Sequence, residues 1–507
     1  MLPSPVRLPM RMRFPALLAV GALTLVPATA WAQSLPQFKD VKPAPDTPAF
    51  RRAREVADAV NSGDLARLRA LVENAFAPDF RKSVSMEDHL AVLAGWREAN
   101  QGLEVYAGRT YDPPRPETSA VLIVRSRLLE AWRAVSVEVE PQPPHRITSL
   151  SLDRARTPKD IPAAPALDPA AVAKSLGEFV DRLAKADQFS GTVLLAKDGK
   201  VLLTRAVGVA NRDFDAPVRI DTRFNLGSMN KMFTGVSIMK LVEAGRLSLD
   251  DPISKYLDAT WIPKVDKTKV KVVHLLTHTS GLGSYFNDVY DRSSRLLFRR
   301  VDDYKPLVVD ETLAFEPGTR WAYSNTGMLL AGAVIEKASG MDYFDYVRKN
   351  VYGPAGMTGS DCYELDRVNP NLAVGYERQP GPNGPVLRNN IFDHVLRGGP
   401  AGGGYSTVED LNRFAEANRA RRLLGDAATK ALWTPRPEIA SPEYGLGFFV
   451  DTTPLGPRVG HSGGFTGLSA QLDVFLDAGW NIAVMSNLGQ AAATVAEKAN
   501  GLILQGR

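Results

Sequence analysis

The chain has 507 residues, more than one ordinary hydrophobic core accommodates, so two or more domains are predicted. It is 44% hydrophobic and 23% charged, a globular composition, and its net charge of +5 comes without a Lys/Arg cluster, which excludes a nucleic-acid footprint. Cys362 is the only cysteine, which excludes an intramolecular disulfide and a cysteine-rich metal site and reads as a buried small hydrophobe.

The first 32 residues read as a secretory signal. Arg7, Arg11 and Arg13 precede an apolar run from Phe14 to Val26, and Ala30-Trp31-Ala32 fits the small-x-small cleavage rule. The run is shorter than the roughly 20 residues that span a bilayer, so no stable membrane anchor is expected after cleavage. No cysteine follows it for lipidation, and Met12 separates Arg11 from Arg13, which breaks a twin-arginine pattern. A periplasmic or secreted bacterial protein is expected.

Residues 33–48 are polar and proline-bearing and read as a linker. Residues 49–156 read as a compact unit. Ala49–Ser62, Asp64–Phe76 and Met86–Asn100 have helical spacing, and Leu103–Tyr111, Ser119–Arg127, Ala131–Glu140 and Arg146–Asp153 alternate as strands do. Helices followed by a curved antiparallel sheet predict a small α+β cone. Residues 157–169 form a second Pro/Ala linker.

The remaining domain, 170–507, opens with a helix over Ala170–Ala186. Strands Gly191–Lys197 and Lys200–Val207 are joined by Asp198-Gly199, a hairpin signal. Strands Leu468–Leu476 and Trp480–Ser486 and a helix over Ala491–Leu504 close the chain. Strands at both ends with helices between them predict an α+β domain: an antiparallel sheet flanked by helices, with an inserted helical region.

Three motifs in this domain carry chemistry. In Ser228-Met229-Asn230-Lys231, at the start of an apolar-periodic segment, residues three apart share a helix face. A serine hydroxyl needs a base to become a nucleophile, and a lysine becomes one when burial disfavours its ammonium form. Tyr323-Ser324-Asn325 and His461-Ser462-Gly463-Gly464 follow. Gly460-His461-Ser462-Gly463-Gly464 also fits the Gly-x-Ser-x-Gly elbow, but that site needs a later histidine, and none follows His461. His274 and His278 are spaced for a zinc helix but lack its glutamate. The run Gly398–Gly404 lacks the Gly-Lys-Ser/Thr of a phosphate loop and reads as a tight turn at the cleft border, before a helix capped by Ser406 with Glu409.

With Phe224-Asn225-Leu226-Gly227-Ser228, Leu275 to Leu282, Phe315-Glu316-Pro317-Gly318 and Tyr444-Gly445-Leu446-Gly447, these motifs resemble the serine β-lactamase and penicillin-binding-protein superfamily, in its class C β-lactamase-like branch of esterases and D-alanyl peptidases. The resemblance covers most of Ala170–Gly501. It implies Ser228 as nucleophile, Lys231 as proton acceptor or relay, and Tyr323 as general base and leaving-group acid. Tyr323 would serve as a phenolate if a cation such as Lys231 lowered its pKa. Asn325, His461, Gly463 and Gly464 are implied on the substrate side, with the N–H groups of Ser228 and Gly464 as an oxyanion hole. His461 stands where β-lactamases usually carry lysine, which favours the esterase-like members. As an anchor it would be expected to titrate between about pH 5 and 8. Expected substrates are small esters, β-lactams or D-alanyl peptides, with no metal or organic cofactor implied. A non-catalytic peptidoglycan or ligand sensor is the other class on this fold.

In the first unit, Val60 to Leu68 and Arg146 to Leu152 resemble the first helices and last strand of nuclear-transport-factor-like domains. That implies an accessory domain.

Overall fold

The computed structural model describes residues 37–381 and 385–507. The expected signal segment therefore lies outside the described residues. Among them no helix is long and apolar enough to cross a membrane.

The first unit is a five-stranded antiparallel meander carrying helices on one face. Its strands are β1 (Gln37–Val41), β2 (Leu103–Asp112), β3 (Ser119–Ser126), β4 (Trp132–Val139) and β5 (Ile147–Arg154), in that order across the sheet. Helix α1 (Pro48–Ser62) starts at Thr47, whose hydroxyl accepts the Phe50 N–H, and ends at Gly63, at φ 67°. It packs across β2–β4, and its buried Phe50, Val56 and Val60 meet Leu122, Val124 and Val135 of the sheet. Helices α2 (Leu65–Ala75), α3 (Pro78–Lys82) and α4 (Met86–Asn100) complete this side.

Part of the stretch expected to be a linker is a strand instead. Gln37–Val41 pairs with Gly108–Asp112, and the Arg109 guanidinium holds Asp40 through two bonds of 2.7 and 2.9 Å. A buried ion pair across a strand pair was not visible in the local composition.

The second domain is a three-layer stack. Helix α5 (Pro169–Lys185) leads into β6 (Gly191–Lys197) and β7 (Lys200–Val207). Asp198 and Gly199 both have positive φ, 50° and 76°, as a tight two-residue hairpin turn requires. Near the end of the chain come β8 (Phe449–Thr453), β9 (Gly456–Phe465), β10 (Leu468–Phe475) and β11 (Trp480–Ser486). The sheet order is β8-β9-β10-β11-β6-β7, antiparallel throughout, so the two ends of the domain meet where β11 pairs with β6. Alternate side chains go to opposite cores. Val193, Leu195, Ile482 and Val484 pack under α5 and the final helix, Ala491–Leu504. Leu194, Ala196, Ala483 and Met485 face the large helical layer between the two sets of strands. Every residue of β11 is buried, because helices cover both faces.

Candidate functional site

Ser228 lies in a 3-10 turn, Gly227–Met229, that runs directly into α6 (Asn230–Glu243). The turn is fixed from two sides. Gly227 has φ 50°, and a Cβ there would stand 2.7 Å from the Gly464 nitrogen of β9. From the other side comes the glycine run: the Leu226 N–H donates to Gly404 O (2.7 Å) and the Gly403 N–H to Gly227 O (3.1 Å). The Asn230 amide donates to Gly399 O at 3.0 Å. The run is thus a buttress behind the Ser228 turn. The helix after it, Val408–Arg419, is capped by Thr407, which accepts the Asp410 N–H, and not by Ser406 with Glu409. Ser406 is instead committed to a short strand paired with Phe224.

Lys231 points into the domain from the first turn of α6 and is fully buried. Its Nζ donates to Asn325 Oδ1 at 2.9 Å and to Ala401 O at 2.5 Å. Burial pushes its pKa well below the lysine value. Nζ stands 4.7 Å from the Tyr323 ring centroid. The Tyr323 hydroxyl is joined to the Ser228 side chain, but burial outweighs that bond and raises its pKa. Burial thus favours a protonated phenol beside a neutral amine, the opposite of the phenolate and lysine cation considered from sequence.

Tyr323 and Asn325 flank the N-cap of α7 (Asn325–Ser339). Ser324 Oγ accepts the Gly327 N–H at 2.8 Å and donates to Gly283 O at 2.8 Å. The Asn325 amide also donates to Ser284 Oγ, 3.2 Å away. So the polar-turn character of Tyr323-Ser324-Asn325 is real, and it is what places the two side chains on either side of Lys231.

His461 corrects the sequence reading. It is 1% exposed, and its ring packs 4.9 Å from Phe449. Nδ1–H donates to the Ser462 carbonyl, so Nε2 accepts the Tyr444 hydroxyl at 2.9 Å. Desolvation, with the nearby Lys231, lowers its pKa to about 3. It is neutral between pH 5 and 8 and has no free ring nitrogen for a substrate.

The glycines after it divide. Gly463 is a packing residue, since a Cβ there would stand 1.8 Å from Leu226 O. Gly464 has open space on its Cβ side and lies on the stretch of β9 beside the Ser228 turn. Ser462, the nucleophile of the rejected elbow reading, is an exposed β9 residue.

Two further residues at the site were not given a place in it from sequence: Ala401, and His278, which was weighed only as half of a zinc pair. Ala401 acts through its carbonyl, which leaves no signal in residue type. His278 follows the short helix Val272–Leu276 with φ 60°. Its Nδ1 accepts the Ser324 N–H at 3.1 Å, and its ring lies 4.4 Å from Tyr323 and 4.6 Å from Tyr444. His274 stays on the helix, where Nδ1 accepts the Lys271 N–H. The helix ends between the two histidines, so they do not share the helical face that a zinc pair needs. Among the described residues no cluster of His, Cys, Asp and Glu could hold a metal ion.

Residues 176–505 match the Beta-lactamase family. The chain is 30% identical over 328 residues to Penicillin-binding protein 4* of Bacillus subtilis, covering 62% of this chain and 71% of that one. It is 31% identical over 337 residues to Esterase EstB of Burkholderia gladioli, covering 60% and 83%. A penicillin-binding protein from Bacillus halodurans superposes with a TM-score of 0.58 at 30% identity, over 64% of this chain and 98% of that one. A D-stereospecific amidohydrolase from Streptomyces gives 0.54 at 27%, over 67% and 100%. The chain belongs to the Beta-lactamase family of serine hydrolases.

Proposed function

We propose that this member of the Beta-lactamase family is an exported, class C-like serine hydrolase that cleaves an ester or amide through an acyl-Ser228 intermediate, with an esterase-like preference for substrates lacking an anchoring carboxylate. One observation carries the reading: the buried Lys231 is held by two carbonyl oxygens, Asn325 Oδ1 and Ala401 O, with burial lowering its pKa. A neutral amine has two N–H donors and one lone pair. The two carbonyls take both donors, so the lone pair is left to draw the hydroxyl proton of Ser228, directly or through Tyr323.

The Ser228 oxygen then attacks the substrate carbonyl and forms the new C–O bond. Negative charge collects on the carbonyl oxygen, where the N–H groups of Ser228 and Gly464 would receive it. Tyr323 supplies the proton that leaves with the alcohol or amine as its bond breaks. Water, deprotonated by the same pair, releases the acid and restores Ser228. The esterase-like preference follows from His461. Buried and neutral, it offers no cation where a β-lactam or D-alanyl carboxylate would be anchored. Names among the relatives, a penicillin-binding protein, an esterase and an amidohydrolase, span the same chemistry. None of these groups comes from the first unit, which we read as a nuclear-transport-factor-like accessory domain.

A substrate panel tests the proposal: p-nitrophenyl acetate and butyrate, a chromogenic cephalosporin and a D-alanyl dipeptide. Turnover of the esters with little or none of the others is expected, and Ser228→Ala should remove it. Covalent capture of a penicillin with no turnover of any substrate would instead make the chain a sensor. Undiminished turnover in Ser228→Ala would overturn the site.

A further inference from the structure

The face of the N-terminal sheet opposite its helices is not bare. Beyond β5 the chain turns back across it and is pinned there. The Arg109 guanidinium, already holding Asp40, also donates to Arg156 O at 2.9 Å. Asp160 accepts from Lys42 Nζ and from the Tyr106 hydroxyl, both at 2.8 Å. The segment that composition marks as the start of an interdomain linker is therefore a fixed wall.

Between this wall and the sheet lies a cavity of about 350 Å³. That is the size of a small-molecule site, which runs from about 300 to 1,000 Å³. Its floor is largely apolar, Phe38, Tyr111, Val121 and Ala134 with Ser136, and the Phe38 ring already carries the Arg109 guanidinium at 3.9 Å and the Lys159 amine at 4.8 Å. Its rim is cationic, with four arginines against one carboxylate, Asp153. Arg109 is used by Asp40, and Arg154 by Glu497 at 2.6 Å. Arg115 and Arg156 have no ion-pair partner among the described residues. Arg115 is stacked over Tyr111, 4.2 Å from its centroid, at the edge of the floor. The backbone of Arg156 is held by Arg109, so its side chain is presented from a fixed point.

We propose that this cavity is a second ligand site, for a small organic carboxylate whose apolar body lies on the Phe38–Ala134 floor and whose charge is taken by Arg115 and Arg156. A guanidinium matches a carboxylate in two parallel hydrogen bonds, and the apolar floor selects an organic acid over an inorganic anion. The site is independent of Ser228 and of the reaction proposed there.

Titration calorimetry on the full mature chain tests it, with octanoate and phenylacetate as probes and octanamide and inorganic phosphate as controls. At least one acid should bind one-to-one, with octanamide and phosphate weaker by about tenfold or more, the loss expected when a charge-assisted pair or the apolar contact is missing. Arg115→Ala combined with Arg156→Ala should weaken the acid by about tenfold or more. Ala134→Phe, which fills the floor, should abolish binding. Both variants should keep wild-type ester turnover, which shows that they are folded. No binding of either acid, equal binding of octanamide or phosphate, or binding undisturbed by both variants would each overturn the proposal.

Discussion

At the scale of single residues, the proposed mechanism turns on Lys231. Its lowered pKa means that the amine, the form able to accept a proton, persists well below the pH at which free lysine titrates. Activity should then rise with pH through the folded-state pKa of Lys231 and level off far below 10.5. A kcat/KM profile of the wild type against Tyr323→Phe checks this. Lys231→Ala and Tyr323→Phe should each lose about 100-fold or more, and the double variant less than the product, because the pair acts as a unit. His461 governs stability instead. Its folded pKa is about 3 against 6.5 when free, so between those values only the unfolded chain binds the proton. Its contribution is complete above pH 6.5 and falls away as the pH drops toward 3. Urea midpoints measured from pH 7 to 4 should fall less steeply in His461→Gln than in the wild type. An equal slope would place the ring in water. Ser228, Lys231, Tyr323 and Asn325 were picked out by spacing and residue type, and the structure brings them together. Sequence reasoning misplaced His461 because the alternation of β9 leaves open which face its substrate side takes, and the Tyr444 and Phe449 that bury it come from elsewhere in the chain.

Among the elements, β9 matters most, because it lies against the Ser228 turn. Its two glycines should respond differently to the same change. Gly463→Ala drives a methyl group into Leu226 O, so the strand and the Ser228 turn must part, at a cost of roughly 1–3 kcal/mol and with most of the activity lost. Gly464→Ala meets nothing within 4 Å, so melting should be unchanged and any loss should appear in substrate turnover alone. Thermal melts and ester assays on the two variants separate these outcomes; matching losses of stability would contradict the packing described. Most elements were legible beforehand, since β6, β7, β11 and the last helix announce themselves by periodicity and turn residues. β1 was not, because five polar-rich residues become a strand only once β2 and the Arg109–Asp40 pair are beside them. The Thr407 cap was missed by one residue, because Ser406 and Thr407 are both good caps and only pairing with Phe224 removes the first.

Across the whole molecule, the two units are joined by more than a linker. Leu128, from the turn between β3 and β4, is buried in the core between α5 and the final helix, and Arg182 of α5 donates to its carbonyl at 3.2 Å. Glu130 beside it meets Arg182 and Lys498 at 3.0 and 3.5 Å. A chain beginning at Pro158 loses the burial of that leucine, worth roughly 1.5–3 kcal/mol, and exposed ion pairs worth about 0–1 kcal/mol each. It should melt several degrees lower yet hydrolyse short esters at close to the full-length rate, because no group of the proposed site lies before α5. A folded but inactive truncation would require a catalytic group from the first unit. The central claim, that Ser228 becomes acylated, is tested most directly by treating the intact protein with a fluorophosphonate and locating the adduct by tandem mass spectrometry. The account predicts a single adduct on Ser228, absent from Ser228→Ala and unchanged in Ser462→Ala; an adduct on Ser462, or labelling that survives Ser228→Ala, would contradict it.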